Sequence, residues 1–252
     1  MTYRPRCVRP VSLAAAAALA VVGVLAGPAQ AATSTRLQLD FDNGESAATG
    51  STVRDDSGYG NNGVVQAEYG GALKIVEGVS GTRGVRFPAP CKTEPCPNAM
   101  IKISDSSALD PGTASFEWGA SIKLSLSETS DGANVLQKGL YNQNGGQWKL
   151  QVDGDPGHPS CILSGTLSDG TFKRTKVRST VTVADGSWHQ VTCRRTSGSV
   201  SILVDGVTRG SASAAPVKVS SSAPVTIGAK AVKPKNNDQF FGVLDNVFMR
   251  LT

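Results

Sequence analysis

The sequence predicts an all-β protein, an antiparallel two-sheet sandwich or jelly roll, and three observations carry that prediction. The stretch Asp185 to Gly206, DGSWHQVTCRRTSGSVSILVDG, sets Val191 and Cys193 in alternation with Gln190, Thr192 and Arg194. After a reversal at Thr196-Ser197-Gly198, Val200, Ile202 and Val204 alternate with Ser199 and Ser201, the period of half-buried strands. Turn chemistry recurs along the chain, as in Asn61-Asn62-Gly63, Asp131-Gly132, Asp153-Gly154, Asp169-Gly170 and Asp205-Gly206, and the 28 glycines suit many tight reversals at positive φ. No segment keeps a helical period, and many short strands between such turns indicate two packed antiparallel sheets.

In chain order, the first feature is a targeting segment. Arg4, Arg6 and Arg9 form a basic start, Val11 to Ala26 is an alanine-rich apolar run, and Ala29-Gln30-Ala31 has the small-x-small form of a cleavage site. This predicts a secretory signal peptide over 1–31 and a mature single domain over 32–252. A membrane anchor needs roughly 20 strongly apolar residues, whereas this run is mostly Ala and stops at Gly27-Pro28. Nothing later is long and apolar enough to insert in a membrane, so the product is expected to be secreted and soluble.

Ser115 to Leu124 is the clearest strand, with Phe116, Trp118, Ala120, Ile122 and Leu124 on a core face and Glu117, Gly119, Ser121 and Lys123 on a wet one. Trp148, Leu150 and Val152 repeat the pattern, Val177, Val181 and Val183 do so less regularly, and Val225 with Ile227 opens another short strand. In the final strand, Val243 to Leu251, the period places Val243, Asp245, Val247, Met249 and Leu251 on one face and Leu244, Asn246 and Phe248 on the other.

Removal of the signal takes three arginines, so the net charge falls from +5 to about +2 and overall charge is a poor guide to partners. Nucleic acid is therefore not an expected partner. Four cysteines remain, and in an oxidising compartment disulfides are the default. The turn chemistry of Cys91-Lys-Thr-Glu-Pro-Cys96 suits a small ring, which favours Cys91 with Cys96 and Cys161 with Cys193. Zinc is the competing reading, but paired C-x-x-C knuckles are missing.

Several segments match one family in order. Leu39-Asp40-Phe41-Asp42 and Asp55-Asp56-Ser57-Gly58-Tyr59-Gly60-Asn61-Asn62-Gly63 resemble the opening of laminin G-like jelly-roll domains, of the concanavalin A-like lectin/glucanase superfamily. Ser115 to Ala120, Asp185-Gly186-Ser187-Trp188-His189, Val204-Asp205-Gly206 and Gly242 to Val247 resemble its later strands and turns. The resemblance implies the concanavalin A-like sandwich, a histidine at 189 held in a structural turn against a backbone group, and in many members a structural calcium. The oxygen donors it places between the chain's ends are Asp42, Asp55, Asn61 and Asp245. The same residues also read as organisers of turns, and both readings stand at this point.

The fold hosts lectins, glycosidases, lyases and adhesion modules, so function must come from a site. The E-x-D-x-x-E strand of retaining glycosidases is missing, and Glu117, the best strand-borne carboxylate, reads as solvated or ion-paired. No G-x-S-x-G elbow occurs, and His158 sits in a loop expected to be exposed. The feature left is basic: Arg174, Lys176 and Arg178 alternate, forming one stripe if extended, with Arg194 and Arg195 near it if Cys161 pairs with Cys193. Such a stripe suits an anionic polymer or protects a sheet edge. The expectation is a secreted, monomeric, non-catalytic module that binds an extracellular carbohydrate, an acidic polysaccharide best of all. An exposed aromatic platform among Tyr59, Tyr69 or Tyr141 would mark a lectin. A glycosidase or polysaccharide lyase, and a structural or adhesion module that binds protein, are the alternatives.

Overall fold

The computed structural model describes residues 1–3, 33–141 and 145–252, so the expected signal peptide, apart from its first three residues, lies outside the described residues. Among these residues two sheets of eight strands each make the fold. The first runs β4 (Lys74–Glu77), β5 (Arg83–Arg86), β16 (Val243–Leu251), β7 (Phe116–Ser125), β12 (Asp185–Arg195), β13 (Ser199–Val204), β14 (Val207–Ser213), with β1 (Ser34–Leu39) also on β16. The second runs β2 (Thr52–Val53), β3 (Gly63–Glu68), β6 (Asn98–Ile103), β15 (Val225–Ile227), β8 (Ala133–Lys138), β9 (Gln147–Val152), β10 (Pro159–Thr166), β11 (Phe172–Arg178). The paired strands are antiparallel throughout, as in β7 with β12 and β8 with β9. Among the described residues helix is confined to three 3-10 turns, Val79–Gly81, Ser107–Leu109 and Leu126–Glu128, and none is long and apolar enough to cross a membrane.

The core follows from the alternation. Phe116, Trp118, Ala120, Ile122 and Leu124 all point inward from β7 and meet Trp148, Leu150 and Val152 of β9. The Trp118 and Trp148 rings lie 6.3 Å apart, Phe116 stacks on Trp118 at 4.7 Å, and the Trp148 indole N–H donates to the Leu109 carbonyl at 3.2 Å. Each large side chain so buried contributes roughly 1.5–3 kcal/mol relative to exposure. The structure joins Cys91 to Cys96 and Cys161 to Cys193, and the second bond ties β10 of one sheet to β12 of the other through the core.

Three details differ from the sequence expectation. The outer face of β7 is not wet, for Glu117 and Ser121 are buried there beneath side chains from β12 and β16. The final strand does not keep one alternation: its register against β7 shifts between Asp245 and Phe248, at Asn246 with φ +48°, a β-bulge. The shift moves Leu244 into the core with Val247 and Met249 and leaves Val243 and Phe248 outside it. Finally, β11 ends at Arg178, and Val181 and Val183 belong to a loop whose Val183 N–H donates to the Gly157 carbonyl.

Candidate functional site

The outer face of the second sheet carries a polar surface laid down by strand register. Arg174 of β11 lies beside Ser164 of β10 and Gln147 of β9; Lys176 beside Ile162, Lys149 and Gln137 of β8; Arg178 beside Ser160, Gln151 and Asn134. These rows are the alternates of the inward Trp148, Leu150 and Val152, so they must face away from the core. Yet Gln147 is 2% exposed, Gln137 3%, Lys149 5% and Gln151 6%. They are covered because the loops bearing Gly132, Tyr141, Lys230 and Asp238 rise around them and enclose a groove of about 620 Å³.

The groove is built from fixed groups. The Gln137 and Gln147 amide nitrogens both donate to the Gly139 carbonyl at 3.2 Å. Gly139 has φ +82°, and a Cβ there would sit 2.1 Å from the Gly146 carbonyl oxygen, so only glycine allows this turn. Lys149 donates to the Gly132 carbonyl at 3.2 Å and pairs with Asp238 at 2.9 Å, while Lys230 pairs with the other Asp238 oxygen at 2.7 Å. Burial pushes the Lys149 pKa below its ordinary value despite Asp238. Burial works against the Asp238 charge as well, but the two lysines outweigh it and hold that carboxyl below the usual range. Asp153 behaves alike: desolvation opposes its charge, and bonds from Ser160, Lys176 and Gln151 prevail.

The predicted basic stripe lies along one face of β11, and its middle member, Lys176, lines this groove. Lys176 lies 3.1 Å from Asp153 and Arg178 3.9 Å from the same carboxylate, so one anion is shared by two cations. Arg174 donates to the Tyr141 carbonyl and lies over its ring at 3.4 Å. Of the three tyrosines singled out, Tyr141 is the one the fold brings to the groove; Tyr59 stacks with Arg36 elsewhere. Arg194 and Arg195 do not join the stripe. Arg194 pairs with Glu117 at 2.5 Å on the other sheet, and Arg195, 1% exposed, donates to the Gly112 and Val217 carbonyls at 2.9 and 2.7 Å.

The four oxygen donors separate into two groups that no hydrogen bond joins. Asp55 accepts from the backbone of Gln38, Ser57 and Asn61 and from the Ser57 hydroxyl, so its oxygens are filled by a turn; Asn61 donates to the Arg36 carbonyl. This pair fits the turn-organising reading and does not fit a metal. Asp42 and Asp245 instead meet the β4–β5 turn, Asp42 accepting from the Arg83 N–H at 2.8 Å and Asp245 from the Val79 N–H and the Thr82 hydroxyl. Burial drives the Asp245 pKa up, and the Asp42 charge adds to it. In the same loop as Asp42, Glu45 is 9% exposed and both its carboxylate oxygens are buried without a partner. A buried carboxylate left so is costly unless a cation meets it, but the Asp245 oxygens are, like those of Asp55, already filled, by Val79, Thr82 and Asn246, and among the described residues no three acidic, histidine or cysteine side chains gather as a metal site.

Both histidines depart from expectation. His189 does not satisfy a backbone group; its ring lies between Asp205 at 2.8 Å and Asp185 at 3.1 Å. His158 is half-buried, its Nδ1 2.8 Å from the Ser179 carbonyl. The groove-floor residues Gln137, Gln147, Lys149 and Gln151 were not singled out by sequence, although QWKLQV shows them as the polar alternates of a strand whose other face is core.

The family described as the concanavalin A-like lectin/glucanases superfamily matches residues 100–249. No curated protein matches the chain. Among solved structures, domain 4 of AbnA, an extracellular arabinanase from Geobacillus stearothermophilus in complex with arabinotriose, is similar at TM-score 0.59 and 15% identity, covering 87% of this chain and 93% of that one. The binding domain of Paraclostridial Mosquitocidal Protein 1 is similar at 0.61 and 14%, covering 86% of this chain and 49% of that one. The binding domain of botulinum neurotoxin DC in complex with SialylT follows at 0.54 and 12%, covering 86% and 47%. The chain thus spans about half the length of those toxin domains. At such identities the likeness is one of fold, and it agrees with the two-sheet sandwich and with the family match over more than half of the sequence: the chain belongs to the concanavalin A-like lectin/glucanase superfamily.

Proposed function

We propose that this protein is a secreted, monomeric carbohydrate-binding module that holds an extended polysaccharide in the groove on the outer face of its second sheet, without transforming it. The observation that carries the reading is the groove floor, where Gln137, Gln147, Lys149 and Gln151 are almost wholly covered yet line open space. Polar groups placed on a sheet face and walled by loops suit a ligand that offers many hydroxyls, with Tyr141 as a flat apolar surface at one end. The arabinanase domain and the toxin domain were solved with sugars bound, which supports the class of ligand. Two disulfides fit an oxidising, extracellular setting. A calcium ion at Glu45, whose two buried oxygens lack a partner among the described residues, completes the proposal; it would take no part in ligand binding.

The test is a panel of soluble and insoluble polysaccharides, with the full chain compared to the variant Lys149→Ala/Gln151→Ala. Retention by at least one polysaccharide, lost in the double variant, is expected; since Lys149 and Gln151 are buried, Tyr141→Ala, at an exposed position of the groove, is the variant that should lose retention with little change in melting temperature. Binding that the double variant keeps would overturn the groove as the site.

A further inference from the structure

The groove is not neutral, and its unsatisfied groups point to a narrower ligand class. Three lysines line it, Lys149, Lys176 and Lys230, with Arg174 and Arg178 flanking Lys176 on β11, against two carboxylates, Asp238 in the lining and Asp153 beside Lys176. Each carboxylate is already divided between two of those cations, so neither lysine on Asp238 and neither cation on Asp153 has a counter-ion to itself. An arriving anion would complete these half-neutralised pairs without displacing a partner.

A second observation, independent of charge, concerns Gln147. The Gly139 carbonyl holds its amide nitrogen, which fixes the amide plane, because turning it over would set two oxygens against each other. Its Oε1 is buried and has no partner among the described residues. A buried acceptor with no donor calls for one from a ligand, and a sugar hydroxyl is such a donor. Gln147 stands two residues from Lys149, on the same face, about 7 Å away by strand geometry, the span of one sugar ring and its substituents.

We propose, resting on the groove reading above, that the groove selects polyuronates, polysaccharides whose rings carry a carboxylate together with free hydroxyls. The carboxylate meets the Lys149 and Lys176 ammonium groups, and a hydroxyl of the same or the next ring donates to Gln147 Oε1. A neutral glycan would leave the cations half-paired. A sulfate ester would supply charge in place of the hydroxyl that Gln147 requires.

Calorimetric titration of the full chain with polygalacturonate, with its fully methyl-esterified form and with dextran sulfate tests this. Polygalacturonate should bind at least tenfold more tightly than the methyl ester, and more tightly than dextran sulfate, with affinity falling as salt rises. Gln147→Leu should weaken polygalacturonate tenfold or more and leave dextran sulfate unchanged. Since that side chain is buried, Lys176→Ser, at a position 48% exposed, provides a variant that keeps the fold and should lose affinity for polygalacturonate but not for the ester. Equal binding of polygalacturonate and its ester, or undiminished binding in both variants, overturns the polyuronate inference while the groove reading stands. Polygalacturonate binding that survives Lys149→Ala/Gln151→Ala overturns both, as does failure of every polymer tested to bind.

Discussion

Glu117 stands 4% exposed on the outer face of β7, with Arg194 on one side at 2.5 Å and Arg250 on the other, also at 2.5 Å. Burial works against its charge, but the two guanidinium groups prevail and hold its carboxyl below the usual range. This is a structural clasp across three strands, and Glu117→Ala is expected to cost about 1–3 kcal/mol, since two half-exposed arginines lose their acceptor. A urea denaturation midpoint equal to that of the parent would refute the clasp. His189 gives a dependence on pH. Partial burial opposes its protonation, but bonds to Asp205 and Asp185 outweigh that and raise its pKa above the ordinary 6.5. Because the folded ring holds its proton more tightly than the unfolded one, the contribution is full below 6.5 and is lost as pH rises through the folded value. Both carboxylates are about half exposed, so it amounts to at most about 1 kcal/mol. Melting curves of His189→Gln should lie further below the parent at pH 5.5 than at pH 8.5; a constant gap would contradict this. The sequence marked both residues, Glu117 by its place on a strand and His189 by its turn, but not their partners: those of Glu117 come from strands far along the chain, and those of His189, though near in sequence, meet it only once β12 and the Asp205 turn are folded together.

At the scale of elements, the bond between Cys161 and Cys193 closes a separation of 32 residues and links the sheets, whereas Cys91 with Cys96 closes 5. The chain-entropy relation gives about 4 kcal/mol for the longer loop and about 2 for the shorter. Cys161→Ser/Cys193→Ser should therefore lower the melting temperature clearly more than Cys91→Ser/Cys96→Ser; the reverse order would show that the inter-sheet bond adds little to packing already in place. Strands were legible wherever one face is core, as in β7 and β9, because burial enforces a period of two. The bulge in β16 was not, since an inserted residue leaves no mark in a segment apolar on both faces. The groove floor was hidden for a related reason: Gln and Lys read as a wet face, and only the loops holding Tyr141 and Asp238 turn that face into an interior.

For the whole molecule, the calcium proposed at Glu45 would brace the loop after β1. An ion that binds only the folded state stabilises by about 2.7 kcal/mol at a hundredfold excess over Kd. Chelation should lower the melting temperature, and Glu45→Gln should abolish the response; no response together with calcium-free untreated protein would dismiss the site. The family's segments announced the architecture, because each is a turn or strand end whose chemistry is local, while the meeting of Asp42 and Asp245 at the β4–β5 turn depends on which parts of the chain come together. That meeting has a temporal side. Among the described residues β1 pairs only with β16, Ser34 opposite Leu251, so it has no neighbour in the sheet until β16 has been made. At roughly 5–20 residues per second a ribosome leaves β1 waiting on the order of ten seconds or more, and through that interval β7 too lacks one of its flanking strands. Closure of the first sheet thus waits on a strand made more than 200 residues later, and a chain lacking Val243–Leu251 would leave its opening strand unpaired.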